Sequence, residues 1–231
     1  MSAKGLFITG TDTGVGKTLV SNLLLRSFAL QGQKVIGMKP IASGADKRKD
    51  GLQNEDALAL LESSSIEVPY HLINPYCFEP PIAPHIAAEQ AGITIKANVI
   101  LDQYHSLAAM ADLVVVEGVG GWSVPLSESY DMSDLALQLD LPVILVVGIR
   151  LGCINHALLT AQSIKAKGCN PFGWIANITS SHVDVVPQVI ESLQARFDFP
   201  LLASIPFLSP VQNIDISNVF NIKTLHQLLD N

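Results

Sequence analysis

Near the beginning of the chain an apolar run, Leu6-Phe7-Ile8-Thr9, gives way to Gly10-Thr11-Asp12-Thr13-Gly14-Val15-Gly16-Lys17-Thr18, and a helix-period segment over residues 17–30 starts at once. Strand, glycine-rich turn and helix in immediate succession constrain the fold more than any other feature of the sequence. A strand that feeds a helix through so tight a turn lays that helix back across its own sheet, and the following strand then pairs in parallel. The rest of the chain agrees. Apolar runs of strand length at residues 35–38, 113–117, 143–147, 173–178 and 201–205 alternate with helix-period segments at 55–62, 97–109, 133–139, 154–167, 185–197 and from about 222, the order expected of an α/β domain. Val114-Val115-Val116 and residues 143–147 are apolar without alternation, which predicts strands covered on both faces. Gly32 and Gly168 stand where helix C-caps are expected. The predicted fold class is therefore α/β, a P-loop NTPase-like, mostly parallel sheet with helices on both faces. With 231 residues and 24.8 kDa, residues 1–231 are expected to form a single domain.

The glycine turn also carries chemistry. Five residues separate Gly10 from Gly16, one more than in the strict pattern G-x-x-x-x-G-K-[ST]. Glycines let successive backbone N–H groups converge on one point and let the backbone approach a phosphate closely. Gly14, Val15, Gly16, Lys17 and Thr18 are the predicted nucleotide-binding residues. Lys17 would reach the β- and γ-phosphates of ATP, Thr18 would place its hydroxyl on Mg²⁺, and the helix N-terminus adds a favourable dipole. Further oxygen ligands for the metal are then required. Glu117, at the end of Leu113-Val114-Val115-Val116 and before Gly118-Val119-Gly120-Gly121, occupies a Walker B position with Glu in place of the commoner Asp.

Composition excludes several classes. A net charge of −7 and a pI near 5.2 argue against a nucleic-acid partner, because counterion release needs clustered Lys and Arg. The dense basic stretch Lys47-Arg48-Lys49 is expected to be a solvated loop. No apolar run approaches the roughly 18 residues of a membrane span, and Met1 leads into the first strand without a signal-like segment, so a cytoplasmic enzyme that does not engage a membrane is expected. The three cysteines, Cys77, Cys153 and Cys169, have no metal-site spacing and are expected to be buried free thiols. The stretch from residue 69 to 95 carries Pro69, Pro75, Pro80, Pro81 and Pro84. It can be neither a central strand nor one continuous helix, and a connection of that length is often functional.

Taken in order, Gly10-Thr11-Asp12-Thr13 with Gly16-Lys17-Thr18, Lys39-Pro40-Ile41-Ala42-Ser43-Gly44, Asn54-Glu55-Asp56-Ala57, Glu117-Gly118-Val119-Gly120-Gly121-Trp122 and Leu151-Gly152-Cys153-Ile154-Asn155-His156 resemble the motifs of the dethiobiotin synthetases, and Ile205-Pro206-Phe207-Leu208 adds a weaker match. The resemblance implies a homodimer with a seven-stranded, mostly parallel sheet. It also implies ATP- and Mg²⁺-dependent conversion of 7,8-diaminononanoate and CO₂ into a cyclic urea through a carbamate and a carbamic-phosphoric anhydride. It further implies that Thr18, Asp56 and Glu117 hold the metal and that Lys17 and Lys39 face the transferred phosphoryl group. Thr13 and Ser43 would lie near the diamine, and Asn177 and Pro206 near the adenine. Gly152, Cys153 and Asn155 of the neighbouring subunit would bind the substrate carboxylate. The sequence departs from the family pattern at Gly14, Arg150 and Ile178, where Glu, Lys and Asp are familiar. His85 and His156 are expected to be structural.

Two other readings share the loop. A partitioning-type ATPase that switches between partners would carry an extra lysine near the start of the loop, where Thr11, Asp12 and Thr13 stand here. A related amidating or phosphotransfer enzyme would keep the loop and Glu117 but has no reason to keep Ser43 and the segment from Leu151 to His156.

Overall fold

The computed structural model describes residues 4–181, 185–207, 215–216, 219–222, 225 and 229. In chain order the first half contains β1 (Lys4–Gly10), α1 (Lys17–Ala29), β2 (Val35–Met38), β3 (Ile41–Ser43), β4 (Asp46–Arg48), β5 (Gly51–Gln53), α2 (Glu55–Ser63), α3 (Tyr70–Ile73), β6 (Tyr76–Phe78), α4 (Pro84–Gln90) and α5 (Ala97–Ala108). The second half contains β7 (Leu113–Glu117), α6 (Met132–Leu139), β8 (Val143–Ile149), α7 (Cys153–Ala166), β9 (Pro171–Ile178), α8 (Val186–Gln194) and β10 (Leu201–Ile205). The helix expected from about residue 222 falls mostly outside the described residues, as does Leu208.

The main sheet runs β10-β9-β8-β1-β7-β2, every neighbouring pair parallel. Among the described residues it has six strands, not the seven that the family resemblance implied. Alternate residues of each strand pack to opposite sides, and both sides are buried. Leu6, Ile8, Leu113, Val115, Ile144 and Val146 meet Val20, Leu24 and Phe28 of α1. Phe7, Val114, Val116, Val143, Leu145 and Val147 belong to the opposite cluster, with Leu135 of α6 and Ala157 of α7. This is why the central strands read as continuous apolar runs.

Two small sheets escaped the sequence. β3 pairs with β6 in parallel, and β4 with β5 in an antiparallel hairpin. Strands of three residues give no periodic signal. The basic stretch expected to be a loop is therefore partly this hairpin, with Lys47 and Arg48 exposed on β4. The proline-rich connection resolves into α3, β6 and α4, and Pro84 takes the first turn of α4, where a missing N–H costs nothing. The thiols are free as expected, though only Cys153 is buried and Cys77 and Cys169 are partly so.

Both predicted C-cap glycines close their helices with a paired bond pattern. At the end of α7, Gly168 N–H donates to Lys165 O (2.9 Å) and Cys169 N–H to Ile164 O (3.2 Å), with Gly168 at φ +86°. At the end of α1, Gly32 N–H donates to Ala29 O (2.9 Å) and Gln33 N–H to Phe28 O (3.3 Å). A side chain at such a φ meets its own carbonyl, at about 1–2 kcal/mol. Gly168→Ala should therefore lower stability by about that amount, read as a fall in urea midpoint at unchanged slope. An unchanged midpoint would contradict the cap assignment.

Candidate active site

The parallel sheet directs the carboxyl ends of β1, β2 and β7 to one edge, and the glycine loop follows β1. Thr11 N–H donates to Val146 O of β8 (3.1 Å), and Gly118 N–H donates to Ile8 O (2.9 Å), so the loop and the segment after Glu117 are each tied to a neighbouring strand. Gly16 is the N-cap of α1 at φ +94°, with no side chain bonded to the first-turn N–H groups. A Cβ at Gly16 would lie 2.1 Å from Asn177 Nδ2, so only glycine fits. Gly14 is also left-handed, at φ +73°, with open space where a Cβ would be. A glycine here therefore avoids the backbone strain that a side chain would carry.

Lys39, Glu117, Thr18 and Asp56 converge beside the loop. The Lys39 ammonium lies 2.6 Å from Glu117 Oε1 and 3.1 Å from Asp56 Oδ2, and it also donates to Gly118 O (3.3 Å). Thr18 Oγ1 donates to Glu117 Oε1 (2.9 Å). Glu117 is fully buried, and its Oε2 has no partner among the described residues. A buried anionic oxygen of that kind calls for one. Two carboxylates close enough to grip one ammonium, a threonine hydroxyl beside them and an oxygen left over make a donor set that suits Mg²⁺. That ion takes few protein oxygens and keeps water and phosphate as its other ligands.

Charge shifts follow from burial and neighbours. Lys17, whose ammonium donates to Asp12 O (3.0 Å), has its pKa pulled down to about 8, first by burial and then by the Lys39 charge. Burial also opposes the charge on Lys39, but Glu117 and Asp56 together outweigh it and hold Lys39 above the ordinary lysine value. Burial would raise Asp56; Lys39, with help from Thr18, holds it below the usual carboxylate range instead. The loop has a second charged contact. Asp12, its carboxyl lowered by the Thr13 N–H and by Arg150, pairs with Arg150 Nη2 at 2.6 Å.

These groups open on a cavity of about 780 Å³. Thr13, Gly14, Gly16, Lys17, Thr18, Lys39, Ser43, Asp56 and Glu117 all line it, so most of the predicted site is brought together. The Ser43 hydroxyl is buried without a partner among the described residues. Asp12 and Asn54 belong to the lining as well, and an apolar wall comes from Pro81, Ile82, Ala83, Pro84, Val119 and Val124. The sequence singled out none of these as site residues, although the density of prolines marked their segment. No cysteine or histidine is part of the lining.

Other predicted residues lie elsewhere. Asn177 is buried against the loop and donates from Nδ2 to Val15 O (2.8 Å), a bracing bond the sequence did not foretell. Pro206 is exposed beyond β10. Gly152, at φ +86°, is the N-cap of α7 with no side-chain cap. Asn155 is exposed, whereas Cys153 is buried and its N–H donates to Arg150 O (3.1 Å). None of these lines the cavity of its own chain.

Sheet, glycine loop and buried lysine–carboxylate cluster define an ATP-using enzyme of the P-loop class. A family profile described as an AAA domain matches residues 4–215. The chain is 42% identical over 219 residues to the ATP-dependent dethiobiotin synthetase BioD of Vibrio parahaemolyticus serotype O3:K6 (strain RIMD 2210633), covering 95% of this chain and 96% of the relative. It is 45% identical over 214 residues to the enzyme of that name from Pseudoalteromonas translucida (strain TAC 125), covering 92% and 94%. The chain belongs to the ATP-dependent dethiobiotin synthetase family, and is a ligase. Among solved structures it resembles the MinD cell division protein of Aquifex aeolicus, with TM-score 0.59, 16% identity and coverage of 99% and 98%. It also resembles the septum site-determining protein MinD of Pyrococcus horikoshii OT3, with TM-score 0.57, 18% identity and coverage of 88% and 81%. At such identities the likeness is one of fold.

A lysine whose pKa falls on folding destabilises the folded state while charged, and the penalty is relieved as pH rises from the folded to the unfolded value. Lys17→Met should therefore be more stable than the parent below pH 8. That advantage should shrink by about 3 kcal/mol between pH 8 and 10.5, since each pH unit of displacement is worth about 1.4 kcal/mol. Denaturant titrations across that range measure it, and a pH-independent difference would return Lys17 to an ordinary pKa.

Proposed function

We propose that residues 1–231 act as one ligase domain of a cytoplasmic homodimer that joins 7,8-diaminononanoate and CO₂ at the expense of ATP to give dethiobiotin. One observation carries the reading: two lysines and two carboxylates line one cavity at the phosphate loop. Such a site offers alignment and charge stabilisation, which is what phosphoryl transfer to a bound substrate demands.

The ATP phosphates lie along Gly14, Val15, Gly16, Lys17 and Thr18, with Asn177 and Pro206 on the side of the adenine. Thr18, Asp56 and Glu117 hold Mg²⁺, which when bound neutralises charge on the triphosphate. Thr13 and Ser43 orient the diamine. An alkyl amine with a lysine-like pKa is only about 0.1% neutral near pH 7, and the Lys17 and Lys39 charges favour the neutral form needed to attack CO₂. The carbamate oxygen bonds to the γ-phosphorus as the bond to ADP breaks. Lys17 and Lys39 stabilise the charge on the transferring group. The second amine then bonds to the carbamoyl carbon, the bond from that carbon to the phosphate oxygen breaks, and phosphate and a proton leave.

A diamine held at the loop puts the carboxylate end of a nine-carbon chain about 8–10 Å away when extended. In this reading the first turn of α7 from the partner subunit receives it, with Gly152, Cys153 and Asn155 supplying the segment and its open N–H groups. Incubation with 7,8-diaminononanoate, bicarbonate, ATP and Mg²⁺ should yield a product heavier than the diamine by CO₂ less water, read by mass spectrometry. ATP hydrolysis without that product refutes the reading. Lys39→Gln, which keeps a donor for Glu117, and a chain altered at Gly152 and Asn155 should each be inactive, and mixed dimers of the two should recover activity. Mixed dimers that form and stay inactive place the carboxylate elsewhere.

A further inference from the structure

Lys39, Ser43 and Asp56 reach the cavity from three separate pieces of backbone: just beyond β2, the last residue of β3, and the first turn of α2. Strand pairing does not fix them relative to one another, since β2 belongs to the main sheet whereas β3 pairs only with β6. A chain of polar side chains, Asn54 and Asn74 buried and Tyr70 partly so, links them. Asn54 Oδ1 accepts the N–H groups of Asp56 (3.0 Å) and Ala57 (3.3 Å), while Asn54 Nδ2 donates to the carbonyls of Gly44 (3.1 Å) and Ser43 (3.4 Å). One amide thus holds the start of the metal-side helix and the end of the substrate-side strand at once. The Asn54 backbone is itself anchored. Its N–H donates to the Tyr70 hydroxyl (2.8 Å), which donates to Asn74 Oδ1 (2.8 Å), and Asn74 Nδ2 donates to the Lys39 carbonyl (2.6 Å). Asn54 and Asn74 are both buried and Tyr70 partly so, so these bonds are costly to leave unmade.

We propose that Asn54 is a positioning residue for the ligase reaction, holding Ser43 in register with Asp56 through the two ends of its side-chain amide. Tyr70 and Asn74 tie that unit to the Lys39 backbone. The proposal rests on the assignment of Ser43 to the diamine and Asp56 to the metal. Its competitor is a plain helix cap, and the two roles use opposite ends of the amide. Capping needs only the oxygen, which Asp and Ser supply as well as Asn. Positioning needs a donor at the reach of the amide nitrogen: an ionised Asp has none, and the Ser hydroxyl, one bond nearer the backbone, does not extend that far. Because Tyr70 fixes the backbone, a substituted side chain has little freedom to restore the missing bonds.

The test uses the full chain with Asn54→Asp and, without added charge, Asn54→Ser. Both should melt within a few degrees of the parent. Removal of comparable supporting bonds around metal and substrate groups costs roughly 10- to 100-fold. A loss of that size is expected as a raised KM for the diamine and a higher Mg²⁺ concentration for half-maximal activity. Binding of a fluorescent ATP analogue without Mg²⁺ should stay within about twofold of the parent, since the phosphate loop does not depend on these bonds. Folded variants with parental KM and metal dependence overturn the proposal, and so does an equal loss in analogue binding, which would mark general loosening. If the unaltered chain makes no cyclic urea, the functional reading fails and this inference with it. If it does and both variants match it, the inference alone fails.

Discussion

The site depends on one buried ammonium. Lys39 sits between Glu117, which has no solvent exposure, and the half-exposed Asp56. Breaking the buried Lys39–Glu117 pair by removing one member costs about 3–5 kcal/mol, because the remaining charge is stranded, whereas the contact with the half-exposed Asp56 is screened by solvent. The lysine therefore keeps two carboxylates gathered at one point, with the Thr18 hydroxyl hydrogen-bonded to one of them. Burial, and after it the Lys39 charge, lowers Lys17 to about 8, with Glu117 and Asp56 opposing the shift. The buried end of β7 and the first turn of α1 confine the cluster.

That confinement is a consequence of topology. From β1 the chain crosses to β2 and returns to β7, which lies between them. It then crosses β1 to build β8, β9 and β10 on the other side. All the carboxyl ends face one edge, where open α/β sheets bind ligands. Gly10, Lys39, Glu117, Arg150 and Asn177 all lie at or just beyond strand ends. The Asp12–Arg150 pair and the bond from Asn177 to Val15 O brace the glycine loop from the β8 and β9 side, while Lys39 and Glu117 flank it from the other.

What could be read from the sequence was whatever local pattern forces. Gly10 to Thr18 is legible because a strand, a left-handed glycine and a helix N-terminus leave little choice of geometry. Glu117 is legible because a charge ends a strand that is otherwise apolar. Asp56 is different: alone it is an ordinary first-turn acid, and only the family motif marked it. Asn54 was passed over for the same reason, since its second function depends on Ser43 and Gly44 folding back beside it. The strands β3 to β6 were missed because they are too short for periodicity, and the wall from Pro81 to Pro84 because prolines exclude structures without specifying one. Asn177 shows the remaining limit, as nothing local to it indicates that its amide bonds to a loop 162 positions away.

In the reaction proposed above, the cluster transfers the γ-phosphoryl group to a carbamate, so that one oxygen of CO₂ leaves with the phosphate. Running the reaction with ¹⁸O-labelled CO₂, with enough carbonic anhydrase-free buffer to limit exchange, and analysing the released phosphate by mass spectrometry tests it directly. Phosphate carrying one ¹⁸O for each cyclic urea formed is the expected result. Cyclic urea accompanied by unlabelled phosphate, with the CO₂ pool still labelled, would contradict it.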